Sequence, residues 1–258
     1  MSKRWLPLSR LAKMMTWASW ALFSSALTQV HAQQDIPLQV ELIGTQQALQ
    51  FQQPARLEQV LKQAQAQGMT LQYPLAVTIF DRSPQAEQSS MARKNSVLNQ
   101  MIQHNLVTHP TYQFIQQSQF APRVLSGVDI DAIRLDKFAN PRLTGLLALS
   151  APAREENVLY LGNLDGLYRV SNLPGIALKA QLDSLASTKE LATLPQPPIL
   201  IYPDGEVVEP HHGRWLTTQY YLPPLTMVYI PFEDYQTSTM DQDIVQLLSQ
   251  RIPTATKK

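Results

Sequence analysis

Hydrophobic positions recur with period two in some stretches of this chain and with helical period in others. The order of the two patterns outlines a fold. Leu38 to Ile43 alternates, Gly44-Thr45 interrupts, and Ala48 to Phe51 resumes, which reads as a β-hairpin. Pro54 then opens a run with Leu57, Val60, Leu61 and Ala64 at helical spacing, and Gly68 is placed to stop it. Leu75 to Phe80 reads as a strand. From Gln85 to Gln119 the sequence becomes Gln-rich and helical. Met91, Leu98, Met101 and Ile102 give one apolar stripe before a break at His109-Pro110. This predicts a helical pair inserted at about 85–120, packed on one face and solvated on the other. Its glutamines are too often interrupted by apolar residues for low-complexity disorder.

The second half repeats the alternation. Val158 to Leu161 and Leu167 to Val170 flank the turn Gly162 to Gly166, and a helical stretch follows around Leu178 to Leu185. Pro198 to Tyr202 and Glu206 to Val208 flank Pro203-Asp204-Gly205, a turn in which glycine supplies positive φ. Leu225 to Phe232 is a final strand. The chain then runs into Thr239 to Pro253, where Met240, Ile244, Val245, Leu247, Leu248 and Ile252 share one arc at about 100° per residue. Thr239 and Gln242 have capping-box spacing, Asp241 and Arg251 sit at the ends whose dipole they complement, and Pro253 prevents continuation. Both charged residues also project at the edge or in the middle of the apolar arc. Packing on the chain's own core is the expected fate of this helix, with assembly of subunits or a pore as the alternative. It is too short to span a bilayer alone, which takes about 20 apolar residues.

Composition adds a compartment. Lys3, Arg4, Arg10 and Lys13 precede the apolar run Met14 to Leu27, and Val30-His31-Ala32 supplies a small-residue processing site. Residues 1–32 therefore read as a signal peptide cleaved near Ala32-Gln33, leaving no stable membrane span. Those four basic residues, with no acidic residue among the first 32, carry the formal charge from +1 to −3 when they leave. A nucleic-acid partner is disfavoured. The chain has no cysteine, so an exported domain must rely on its apolar core, and thiolate catalysis and Cys-ligated metals are excluded.

The order of hairpin, helix and returning strands in both halves is compatible with β-grasp domains. With the tail helix, it resembles the periplasmic capsule-biosynthesis proteins of the GfcC type, relatives of the outer-membrane polysaccharide exporters. The likeness is closest in Pro122 to Leu143, at Asp131, Arg134, Asp136, Asn140-Pro141 and Leu143. It departs in the turns: the related sugar-binding-associated β-grasp type commonly has Pro-Gly and Pro-Gly-Asp where this chain has Leu164-Asp165-Gly166 and Pro223-Pro224-Leu225. The resemblance implies an α+β fold of two β-grasp domains, 33–151 with the helical insertion and 152–234, followed by the helix and tail 235–258. It implies a soluble periplasmic accessory role in capsule or exopolysaccharide secretion or assembly, with a polysaccharide or its fragment, or the outer-membrane export machinery, as partner. Lipidated exporters carry Cys at the first mature position, and here Gln33 stands there.

The same resemblance places a cavity arginine at Arg134, with Asp131, Asp136 and Asn140 as further ligand-binding residues. A guanidinium's rigid fork of donors suits carboxylate, phosphate or vicinal hydroxyls. Beside it stands a domain-junction salt bridge between Arg134 and Asp129, Asp131 or Asp136. Asp129 and Asp131 admit a reading as the carboxylate pair of a glycan-cleaving or glycan-modifying enzyme acting with Arg134, although their i, i+2 spacing is that of a strand face or turn. Catalytic residues are not assigned. No G-x-S-x-G, P-loop or H-E-x-x-H motif is present, so no cofactor and no metal are expected. His211-His212 reads as a loop pair, and His104 and His109 as helix-end residues. Trp215, Tyr220 and Tyr221 admit sugar stacking or a sheet-edge role.

Overall fold

The computed structural model describes residues 38–172, 174–189, 197–210 and 219–253. The signal-peptide reading, His211-His212 and Trp215 lie outside these residues. The fold is α+β. The first sheet starts with the hairpin β1 (Leu38–Leu42) and β2 (Gln47–Phe51), joined through Gly44 at φ +86°. After the short β3 (Ala55–Arg56), α1 (Leu57–Ala66) buries Leu57, Val60, Leu61 and Ala64. β4 (Thr78–Asp81) follows a 3-10 turn at Pro74–Ala76, so the strand starts later than its apolar run. Next come α2 (Pro84–Gln103) and α3 (Pro110–Gln117), then β5 (Arg123–Ser126), α4 (Ile130–Leu135), β6 (Arg142–Leu143) and β7 (Gly145–Ser150). The sheet order is β2-β1-β7-β4-β5, with β1 and β7 parallel. Within β7, Leu147 and Leu149 join the first core while Ala148 is buried in the cluster with Phe80, Ala121 and Ile252, so the strand is covered on both faces and shows no alternation.

The second sheet repeats this connectivity. β8 (Asn157–Gly162) and β9 (Tyr168–Ser171) form a hairpin, α5 (Leu178–Lys189) follows, and then come β10 (Ile199–Ile201), β11 (Val207–Val208) and β12 (Met227–Ile230). Their order is β11-β10-β12-β8-β9, with β8 and β12 parallel. The Pro203-Asp204-Gly205 turn joins β10 to β11, with Gly205 at φ +89° as its sequence requires. Leu225, where the glycine-containing turn of the related type is lacking, adopts φ +68° despite its side chain.

Both faces of the second sheet are covered, which explains why its strands read as continuous apolar runs. Val158, Tyr160, Leu200, Val228 and Ile230 face α5 residues Leu178, Leu182 and Leu185. Their alternates Leu159, Leu161, Ile199, Ile201, Met227 and Tyr229 face the inserted helices and the tail helix α6 (Thr239–Ser249). The whole tail arc, Met240, Ile244, Val245, Leu247, Leu248 and Ile252, is buried within this chain. Its cap differs from the expected one. Ser238 is the N-cap, its Oγ accepting from the Asp241 amide, so the helix is capped one residue before Thr239.

The inserted helices leave the first sheet but pack on the second. Their buried face is Ala86, Ser90, Val97 and Met101 on α2, with Ile115 on α3, and this corrects the expected stripe: Met91 is 64% exposed and Ile102 45%. The face turns because the insertion meets α6 and the second sheet, a neighbour its own periodicity does not reveal. After α6 the chain pairs with the exit of the insertion. Ala121 N donates to Gln250 O, Ile252 N donates to Gln119 O, and Ile252 joins Phe80, Ala121 and Ala148 on the outer face of the first sheet. Both sheets lie within one compact unit, Ile36–Lys258.

One close approach holds the insertion in place. Buried Thr111 accepts from Gly162 N and donates to Gly162 O, both at 3.0 Å. Gly162 has φ +107°, and a Cβ there would stand 2.0 Å from Ile230 O. Strain and overpacking each cost about 1–3 kcal/mol. Gly162→Ala is therefore expected to lose at least about 2 kcal/mol in urea unfolding, and an unchanged midpoint would contradict this packing.

Candidate functional site

The segment that sequence reasoning singled out folds as a surface cap over α1. Asp129 is the N-cap of α4, its Oδ1 accepting from the Asp131 and Ala132 amides, and Asp136 accepts from Phe138 N. These aspartates therefore organise local turns, and Asp129 with Asp131 forms a cap, not a facing carboxylate pair. Ile133 anchors the helix in the first core. Asn140 is buried and structural: its Oδ1 accepts from Glu58 N at the start of α1, and its carbonyl accepts from Arg56 Nη1. Arg134 is exposed. It forms no ion pair with Asp129, Asp131 or Asp136 among the described residues. Its charge is felt at Glu58, whose carboxyl is held below its usual range by the Lys62 hydrogen bond and charge first and by Arg134 more weakly, with burial opposing. Arg134, Asp131, Asp136 and Asn140 are not among the residues that line the cleft described next.

A cleft of about 450 Å³ lies elsewhere, between the two sheets. That volume falls within the ~300–1,000 Å³ typical of small-ligand sites. Its walls are the β1–β2 turn, the chain after α1 at Gly68–Thr70, the β7–β8 connection from Ser150 to Asn157, and the β10–β11 turn at Tyr202-Pro203. Leu159, Met227 and Leu225 supply apolar surface, and three arginines enter it: Arg123, Arg169 and Arg251. Among the described residues Glu155 is the one carboxylate in the lining.

Arg123, eleven residues before Arg134 in the same singled-out segment, is the arginine the fold brings here. Its Nε donates to Ser249 O at 2.6 Å, and its Nη1 donates to Thr78 Oγ1 and Pro203 O, each at 3.0 Å. The guanidinium also lies over the Phe80 ring, 5.3 Å from its centroid. One side chain therefore ties β4, the Pro-Asp-Gly turn and the end of α6 together. Gly205 makes the fit possible, since a Cβ there would lie 2.7 Å from Arg123 Nε and 2.9 Å from Ser249 O. Burial lowers the Arg123 pKa to about 10, against the pull of Asp204 and with a further push from Arg251. It stays cationic at neutral pH.

Arg251 differs in its surroundings. It sits over the Phe114 ring at 5.4 Å, its Nε is buried without a hydrogen-bond partner, and no carboxylate pairs with it among the described residues. Burial lowers its pKa to about 10, with like-charge repulsion from Arg169 adding to the effect. Residues 180–253 match the family model described as capsule biosynthesis GfcC C-terminal. Over that segment the chain is similar to the GfcC-type capsule-biosynthesis proteins. The GfcC-type match runs from α5 to Pro253 and includes one wall of the cleft, at Tyr202, Pro203, Leu225, Met227 and Arg251, while Arg123 and Arg169 lie outside it. No curated protein matches the chain.

The remaining candidates fall to structural positions. His104 is the C-cap of α2, and His109 caps α3 by accepting from Thr111 N. Tyr220 packs against the second core, and Tyr221 is exposed with its hydroxyl on Gln219. The sequence signal for Arg251 was present in its place on the tail's apolar arc, where a charge needs a reason. For Arg123 there was none, because its partners come from residues 78, 203 and 249.

Proposed function

We propose that this chain is a periplasmic accessory protein of capsule or exopolysaccharide secretion or assembly, and that it holds a stretch of polysaccharide in the cleft between its sheets. The observation that carries the reading is the cleft itself, a cavity of saccharide size in which apolar wall, tyrosine and guanidinium groups converge. The match of residues 180–253 to a capsule-biosynthesis family supports the pathway. The shared order of the two sheets, second-first-last-third-fourth strand around a helix, supports two β-grasp domains. The basic and then apolar start of the chain supports export, and no helix among the described residues is long and apolar enough to cross a membrane. Machinery at the outer membrane is the partner this role implies.

Blocking the cleft without touching its arginines tests the reading. Thr70 and Ala153 are exposed lining residues, so tryptophan there fills space at little cost to the core. In a deletion strain the wild-type chain should restore surface polysaccharide, while Thr70→Trp and Ala153→Trp, melting as wild type, should not. Full restoration by both would remove the cleft from the function.

A further inference from the structure

Of the three arginines in the cleft, Arg123 already spends its Nε and Nη1 on protein acceptors, whereas the buried Nε of Arg251 has no acceptor among the described residues. A desolvated guanidinium without an acceptor is costly. Such a group is stabilised when an oxyanion arrives, and the charge-assisted fork that then forms is stronger than a neutral hydrogen bond. Arg169 is the second cation at the site, half-engaged by Glu155 at 4.0 Å with much of its side chain exposed. Its proximity is what adds repulsion to Arg251. Three guanidinium groups against one carboxylate leave the cleft with a positive field, in a chain whose formal charge without its first 32 residues is −3. Low-dielectric walls focus such a field on an entering anion.

We propose that Arg251, with Arg169 beside it, forms an oxyanion subsite that makes the cleft selective for acidic saccharides over neutral ones. The group recognised is a carboxylate of a uronic acid or a phosphoryl group on the sugar, both of which match the guanidinium fork. Arg123 is the positioning residue that fixes the cleft wall, and Arg251 is the recognition residue. This rests on the cleft being the saccharide site.

Calorimetric titration of the processed chain, residues 33–258, tests it with three probes: a glucuronate-containing disaccharide, a neutral disaccharide of the same linkage, and a sugar phosphate. An acidic probe is expected to bind about tenfold more tightly than the neutral one, with the preference shrinking in salt. Tighter binding of the uronate identifies a carboxylate as the source, and tighter binding of the sugar phosphate a phosphoryl group; either supports the subsite. In Arg251→Gln the preference should vanish while neutral binding persists. If that variant fails to fold, Arg169→Gln carries the same test with a reduced preference expected, since its side chain is 62% exposed. Equal binding of acidic and neutral probes by the wild type overturns the subsite and leaves the cleft reading intact. A preference retained in a folded Arg251→Gln, or one undiminished in Arg169→Gln where that variant replaces it, also overturns the subsite. Binding of none of the three removes both.

Discussion

A chain ended after Asp234 will fail to give a stable, soluble monomer. Truncation removes Met240, Ile244, Val245, Leu247 and Leu248 from the face of the second sheet and Ile252 from the first. Full burial of each is worth about 1.5–3 kcal/mol, so together they rival the entire stability of about 5–15 kcal/mol expected of a domain. Their removal also uncovers Leu159, Leu161, Ile199, Ile201 and Met227, a contiguous apolar face that invites aggregation. The backbone pairing of Gln250 and Ile252 with Ala121 and Gln119 goes with them. Thermal unfolding and light scattering check the outcome. A truncated monomer with an unchanged melting temperature, or a well-folded protein of smaller assembly size, would show instead that the helix serves another copy or partner.

How much of this was legible depends on where each residue's partners lie. The tail arc was readable because burial on one helix face is a local periodicity, and all six arc residues are buried as the pattern predicts. The Pro203-Asp204-Gly205 turn was readable because its geometry follows from glycine alone. β5, β6 and β7 were not assigned. β7 in particular has no alternation to see, since much of the strand is buried on both faces. The stripe on α2 was misplaced by its tertiary neighbour. Arg134 drew attention because charged residues crowd around it, yet Asp129 and Asp136 serve their own turns. Arg123 stands in an unremarkable Pro-Arg-Val-Leu and is held by three distant elements.

Asp241 combines both cases, and its replacement should be the most damaging single change in the tail. The sequence shows an acid in the first turn, where the helix dipole favours it, but not its 0% exposure. One oxygen accepts from the Tyr229 hydroxyl at 2.5 Å and the Phe232 amide at 2.8 Å; the other accepts from the Ser238 hydroxyl at 2.6 Å and the Glu233 amide at 3.1 Å. Burial, and then the Asp241 charge, push the Tyr229 phenol well above its usual pKa, so it remains a donor. Asp241→Ala orphans four donors, two of them buried hydroxyls, and at about 1–3 kcal/mol for each of those two the expected loss is about 2–6 kcal/mol. Asp241→Asn keeps the shape but turns an NH₂ toward two of the donors, so it should lose less than Ala and more than Tyr229→Phe, which deletes one donor and leaves three satisfied. Asp241→Leu fills the volume without supplying an acceptor and should group with Ala. Urea midpoints of the four variants give the order. If Asp241→Leu matched the wild type, packing rather than hydrogen bonding would hold the helix start, and the convergence of four donors on this carboxylate would be incidental to stability.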